Sequence, residues 1–290
     1  MSEHAAAQPA AGGRAVTGRR PGALPLLLRQ VRYQNRLFLR NPFSAFFSLA
    51  FPLMFLLLFG SLNGGQRIAA QGGIRYAQFL TPGMLAFAVI STCYTNLAVT
   101  VAINRDEGLL KRVRGTPLPP WIYIVSRILS AVWFALVAAV IMVAAGVLLF
   151  HVKLIGHLLP AAVVSLLLGA ICFCALGIAI AALVPNGESA PVFANFTLFP
   201  ILFISAVFFP IDTAPKWLRQ IANFFPIRHF AGWIEATFNP FTKGSGFQTK
   251  DLLLLLVWTA AGMLVAVRRF QWEPRTAAGA GGRRRLSRRA

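Results

Sequence analysis

An all-α integral membrane protein with six transmembrane helices is the fold class this sequence predicts, and three observations carry it. Hydrophobic residues make up 57% of the 290-residue chain and charged ones only 12%, a membrane-protein composition. Six apolar runs, at about 43–62, 77–103, 128–150, 158–184, 192–211 and 252–267, have lengths suited to the hydrocarbon core, the last being near the minimum. The basic residues are asymmetric: of 28 Lys and Arg, 20 fall on the side shared by both termini and 8 in the three loops opposite. The positive-inside rule then puts both termini in the cytoplasm. The net charge of +20 sits beside apolar runs, which argues for topology and membrane lipids and against nucleic acid. Arg outnumbers Lys 23 to 5, a leaning towards a GC-rich bacterial source and so a bacterial plasma membrane.

Residues 1–23, rich in Ala, Gly, Pro and Arg, read as a disordered N-terminal tail without the apolar core of a signal peptide. From 24 to 40, Arg29, Arg32, Arg36 and Arg40 recur at spacings of 3, 4 and 4 on one helical stripe, with Leu24, Leu27, Val31 and Phe38 roughly opposite. Such a helix suits the interface of an anionic leaflet. The first span carries Pro52, the second Pro82 and the fifth Pro200. In the fourth, Ser165 with Gly169 and Gly177 with Ala181 form two small-xxx-small pairs fit for close packing. Cys93, Cys172 and Cys174, all in apolar runs and without metal-ligand spacing, read as buried free thiols. Residues 271–290 end in an Arg-rich run, read as a disordered basic tail touching anionic headgroups.

Two loops have structure written into them. Residues 105–117 form a charged island that reads as a short helix: Asp106 and Glu107 in its first turn, Lys111, Arg112 and Arg114 in its last, complementing the dipole. Glu107 precedes Lys111 at i,i+4, Gly115 is placed to cap, and Pro117 forbids continuation. Leu109, Leu110 and Val113 make an apolar strip on a piece too short to stand alone. The plainer alternative is a solvated loop carrying topogenic charge. In the longest outer loop, Asp212 and Thr213 can cap a helix opened by Pro215. Trp217, Leu218, Ile221 and Phe224 recur there at helical spacing. Pro226 breaks the run, and a second apolar segment follows from 227 to 238. Both are too short to span and suit extracellular re-entrant or interfacial helices.

The six spans as drawn hold no Asp, Glu, Lys, Arg or His, which speaks against a proton-coupled carrier. No GxxxxGK[ST], HExxH or GxSxG occurs, and His151 and His157 read as interfacial rather than metal-binding. No catalytic constellation stands out, so the chain reads as not an enzyme.

Residues 25–270 resemble a type-2 ABC transporter permease of the daunorubicin-resistance-like and nodulation-export-like group of multidrug exporter membrane subunits. Three blocks carry the resemblance. Arg105-Asp106-Glu107-Gly108 through Leu110, Arg112 and Thr116-Pro117-Leu118 is similar to the family's coupling segment. Thr81-Pro82-Gly83-Met84-Leu85 is similar to the opening of its second span. Phe209-Pro210 through Pro215, Trp217-Leu218, Ile221 and Pro226-Ile227-Arg228-His229 is similar to the stretch after its fifth. Lys111 stands where the family commonly has an acidic residue, and Glu235 where it commonly has Arg or Gln.

The resemblance implies a single transmembrane domain over 24–270. The 24–40 helix would be its connector helix, and the 105–117 helix would dock on a separate ABC ATPase subunit through Asp106, Glu107, Leu109, Leu110, Arg112 and Val113. A second permease chain would complete the conduit. No cofactor is expected on this chain; ATP and Mg belong to the partner ATPase. The expected cargo is a hydrophobic or amphipathic compound. Export of a lipid-linked glycan or cell-wall polymer stays open, as does, from a different class, an ion-coupled secondary transporter.

Overall fold

The computed structural model describes residues 22–40, 42–68, 72–114, 119–205, 207–208 and 215–270. Of the predicted N-terminal tail, 1–23, residues 1–21 lie outside these and Ala23 already opens the first helix; the predicted tail 271–290, Gly115, Pro117 and the predicted caps Asp212 and Thr213 lie outside as well. The chain runs through eleven α-helices among the described residues. Ala23–Arg40 (α1) and Pro42–Asn63 (α2) come first. A small antiparallel ladder follows, β1 (Arg67–Ile68) and β2 (Ile74–Arg75), which an all-α expectation omits.

The second apolar run is one rod in three parts: α3 (Tyr76–Ile90), a π-helical turn (Ser91–Asn96) and α4 (Leu97–Asp106). Beyond it lie α5 (Leu109–Arg114), α6 (Pro120–Phe150), a 3-10 turn (Gly156–Leu158) and α7 (Leu159–Leu183). The chain closes with α8 (Ala190–Ile204), α9 (Lys216–Phe224), α10 (Pro226–Phe238) and α11 (Thr249–Arg269). Among the described residues, four segments are long and apolar enough to cross a membrane: 76–106, 121–150, 156–183 and 249–269. Two shorter apolar helices, 49–63 and 190–204, accompany them.

Several boundaries differ from the sequence expectation. α6 starts at Pro120, eight residues early, because Pro occupies a first-turn position where its missing N–H costs nothing. Arg127 is therefore inside a helix. α8 ends at Ile204, before the predicted 211. At about 1.5 Å per residue it is about 22 Å long, and the buried Val207 and Phe208 carry the chain on.

α3 lies at the centre. Nearly all its residues are buried, and it packs against α6, α2 and α10, while α7 packs most extensively against α11. The small residues of α7 let it approach α10 and the π turn just as closely. Ser165, Gly169, Gly177 and Ala181 are all buried. A Cβ on Gly169 would sit 2.2 Å from Phe230 Cε2 of α10, and one on Gly177 would sit 2.8 Å from the Tyr94 carbonyl of the π turn. The three cysteines are free and buried. The outward faces are apolar: Val140, Leu148, Phe196 and Val267 are each more than two-thirds exposed, as a bilayer allows and water does not.

Candidate functional site

Helix ends leave carbonyls without intrahelical partners, and buried carbonyls must find them elsewhere. At the end of α7 a side chain from another helix supplies them. Arg105, 1% exposed, donates through Nη1 to the Ala181 carbonyl at 2.9 Å. Its Nη2 donates to the carbonyls of Val184 at 2.9 Å and Pro185 at 3.3 Å. Nε donates to Asp106 Oδ1 at 3.2 Å. The other carboxylate oxygen, Asp106 Oδ2, accepts the Gly187 N–H at 2.5 Å. Gly187 is required there, since a Cβ would come 2.9 Å from Ile103 Cα. A planar fork with several fixed donors fits three carbonyls and a carboxylate at once. The end of α4 and the 184–189 turn are thereby clamped into one unit.

This arrangement corrects the reading of the 105–117 island. Asp106 is the last residue of α4 and Glu107 its C-cap, not the first turn of a new helix. Gly108, at φ +70, is the break, the left-handed position at which helices commonly end. The helix that follows, α5, has no acidic residue in its first turn. Glu107 stands outside it, and among the described residues no ion pair joins Glu107 to Lys111. Charge order alone could not reveal this, because Asp106 bonds across to Gly187 instead of along its own chain.

The predicted docking strip is also divided. Leu110 is fully buried, whereas Leu109 is exposed; Glu107 and Lys111 are exposed too. Arg112 and Val113 belong to the backbone of α5, but their side chains lie outside the described set. The exposed face of this segment is thus Glu107, Leu109 and Lys111, with Leu110 as its anchor.

At the start of the chain, Arg29, Arg32, Arg36 and Arg40 are exposed on α1. Leu27, Val31 and Phe38 are half-buried, and Leu24 is exposed. The opposite edge packs on α6: the Phe38 and Phe134 rings are 4.0 Å apart at their centroids, and Ser130 Oγ donates to Asn35 Oδ1 at 2.5 Å.

At the other end, α9 turns Trp217, Ile221 and Phe224 outward, Trp217 and Phe224 being 62% and 66% exposed. Leu218 is half-buried and Ala222 buried. α10 is the reverse, buried along Pro226, Ile227, Phe230, Trp233 and Ile234. Gln78 joins three elements at this end. Its Nε2 donates to the carbonyls of Lys153 at 2.8 Å and Phe238 at 2.7 Å, and its Oε1 accepts the Lys153 N–H at 2.9 Å. The signal for Gln78 was visible: an amide within an apolar run must find partners.

His229 bridges α9, α10 and α11. Nε2 lies 2.7 Å from the Asn223 carbonyl and Nδ1 2.7 Å from Asp251 Oδ1. Both neighbours accept, so only the imidazolium donates to both. The Asp251 hydrogen bond, aided by the Asn223 carbonyl and the Asp251 charge, raises the His229 pKa against burial and the Arg228 charge. Arg228, Glu235 and Gln78 line the same polar cavity. Among the described residues, no group of three or more His, Cys, Asp or Glu could hold a metal.

Residues 26–238 match the ABC-2 type transporter family. Similar proteins include the probable multidrug ABC transporter permease YbhR of Escherichia coli K12, 22% identical over 192 residues, 66% of this chain and 49% of that one. The inner membrane transport permease YadH of the same strain is 23% identical over 174 residues, 60% of this chain and 67% of that one. Nodulation protein J of Rhizobium leguminosarum bv. trifolii is 29% identical over 185 residues, 62% of this chain and 68% of that one. The chain thus spans about half the length of YbhR. With the family match running from α1 through α10, this chain belongs to the ABC-2 type transporter family.

Proposed function

We propose that this chain is the membrane-spanning permease subunit of an ATP-driven exporter in a bacterial plasma membrane. It crosses six times, with both termini cytoplasmic, and moves a hydrophobic or amphipathic compound outward. α2 and α8 complete the six spans, α8 with the help of Val207 and Phe208. α1 is the connector helix on the cytoplasmic leaflet, and α9 and α10 form the re-entrant outer cap. A separate ABC ATPase subunit holds ATP and Mg and performs hydrolysis; this chain binds no cofactor. A second permease chain, identical or different, completes the conduit. An apolar cavity of about 330 Å3 bounded by Phe173, Leu176, Leu198 and Ile201 supports cargo of that class.

The observation that carries the reading is the Arg105–Asp106 clamp. α5 is anchored by Leu110 at the end of a rod bonded to the α7–α8 turn. A push on α5 from an ATPase closing around ATP therefore reaches α4, α7 and α8 together, as a rigid-body shift rather than a loop bending alone. Glu107, Leu109 and Lys111 are the residues placed to touch the ATPase.

The experiment compares Leu109→Asp with Leu110→Asp, each co-expressed with the partner ABC ATPase. Leu109→Asp should keep its thermal stability and lose ATPase co-purification and export. Leu110→Asp should lose stability first, because burying a Leu contributes about 1.5–3 kcal/mol. Normal export and co-purification by Leu109→Asp combined with Lys111→Glu would remove the docking role.

A further inference from the structure

Between α1, the π turn, α4 and α6 lies a cavity of about 390 Å3, a volume typical of small-ligand sites. Its floor holds the buried side chains of Gln34, Thr92 and Ser130. Arg40 and Arg127 line it on the charged side, and Leu37, Phe38 and Phe134 form an apolar wall. It lies apart from α5 and the Arg105–Asp106 clamp.

Two observations point to a ligand. Gln34 is 2% exposed, yet its Oε1 has no hydrogen-bond partner, an arrangement that carries a full desolvation penalty unless a donor arrives. The neighbouring hydroxyls do not supply one: Ser130 donates to Asn35 and Thr92 to the Ala88 carbonyl. Independently, neither Arg40 nor Arg127 has an ion-pair partner among the described residues. Arg127 is oriented from one side only, Nε donating to the Tyr123 hydroxyl at 3.3 Å. The π turn contributes Thr92 and Asn96 to the lining, and π bulges frequently mark functional positions.

We infer that this cavity binds the head of an anionic amphiphile that also carries a hydroxyl or amine donor. The anionic oxygens sit between Arg40 and Arg127. The donor satisfies Gln34 Oε1, and the apolar tail leaves along Leu37 and Phe38. A phospholipid of the surrounding leaflet and an exported amphiphile share this chemistry. The inference does not rest on contact with an ATPase, so it stands or falls separately from the Leu109→Asp experiment.

The test titrates purified protein in zwitterionic nanodiscs with three short-chain lipids, read by calorimetry. Dioctanoyl phosphatidylglycerol has both charge and hydroxyls, dioctanoyl phosphatidylethanol has charge without hydroxyls, and dioctanoyl phosphatidylcholine has neither net charge nor a donor. The first should saturate at one per chain and bind roughly tenfold tighter than the second, with the third weakest. Arg127→Gln should weaken both anionic lipids. Gln34→Leu should erase the difference between them without lowering the melting temperature, since no partner is lost. Arg40→Gln, on the exposed side of α1, is the second charge variant should Gln34→Leu fail to fold.

Equal binding of all three lipids would overturn the inference, as would wild-type discrimination in Gln34→Leu, which would mean that the amide merely holds water. In proteoliposomes with the ATPase, an acyl-labelled phosphatidylglycerol that changes leaflet on adding ATP identifies the occupant as cargo. One that stays identifies a resident lipid, and both outcomes support the pocket.

Discussion

Replacing Arg105 by Lys keeps the charge and removes the fork, which isolates what the guanidinium geometry contributes. In the native arrangement one side chain serves the carbonyls of Ala181, Val184 and Pro185 and the carboxylate of Asp106. A Lys ammonium is a point donor on a shorter reach and can serve about two of these four. The remaining two acceptors lose their partner at about 1–3 kcal/mol each. Because the Pro185 side is only partly buried, water recovers some of this, and a total of about 2–4 kcal/mol is expected. The loss falls on the 184–189 turn, so the assay is amide hydrogen exchange followed by mass spectrometry on peptides covering it. With about 1.4 kcal/mol per decade, exchange there should accelerate by roughly one and a half to three decades, while peptides from α11 change little. Asp106→Asn, whose amide oxygen still accepts the Gly187 N–H, should show a smaller effect of about 1 kcal/mol. Unchanged exchange in Arg105→Lys would refute the clamp and, with it, the route by which α5 moves α7 and α8.

Three further outcomes are expected. His229 has a raised pKa in the folded protein, so its stabilising contribution is complete below the ordinary value near 6.5 and is lost as pH rises through the raised value. Melting temperature of the wild type should therefore fall over that window, and Asp251→Asn should flatten the dependence; equal slopes would contradict the bridge. Gly169→Ala should push α7 from Phe230 at a cost of about 1–3 kcal/mol, measured by thermal unfolding, and Phe230→Leu added to it should recover part of the loss. Trp217→Cys should resist a membrane-impermeant maleimide in native vesicles, whereas Gln220→Cys on the polar side of α9 should label readily. Equal labelling would place that face in water.

Much of the fold was legible because long apolar runs have few alternatives. The extents of α1 and α2 follow from where charge and polarity stop the runs, and α9 and α10 from Pro215, Pro226 and the spacing of Trp217, Ile221 and Phe224; α11 runs beyond the expected 252–267 at both ends, from Thr249 to Arg269, taking in Lys250, Asp251, Arg268 and Arg269. What composition could not show were contacts made by residues distant in sequence. Asp106 and Glu107 look like an N-terminal turn until Gly187, 81 residues on, is found bonded to Asp106. Leu109 and Leu110 are equivalent on paper, and only the folded chain decides that Leu110 is the buried one. The charge of Arg127 marks the edge of the apolar run at 128, yet α6 continues past it to Pro120. Gln78 carries the same lesson: a polar residue among apolar neighbours identifies a meeting point, and the sequence does not name the other party.

The π turn at Ser91–Asn96 sets how the far end of its rod is aimed. A π turn is in effect one residue inserted into an α-helix, and each residue turns the screw by about 100°. Were those six residues wound as ordinary α-helix, everything beyond Asn96 would swing around by that angle, and Arg105 would face away from the α7 carbonyls it now holds. The bulge therefore acts as a phase setting. The direction in which the guanidinium points at one end of the rod is decided by a winding fault some ten residues before it.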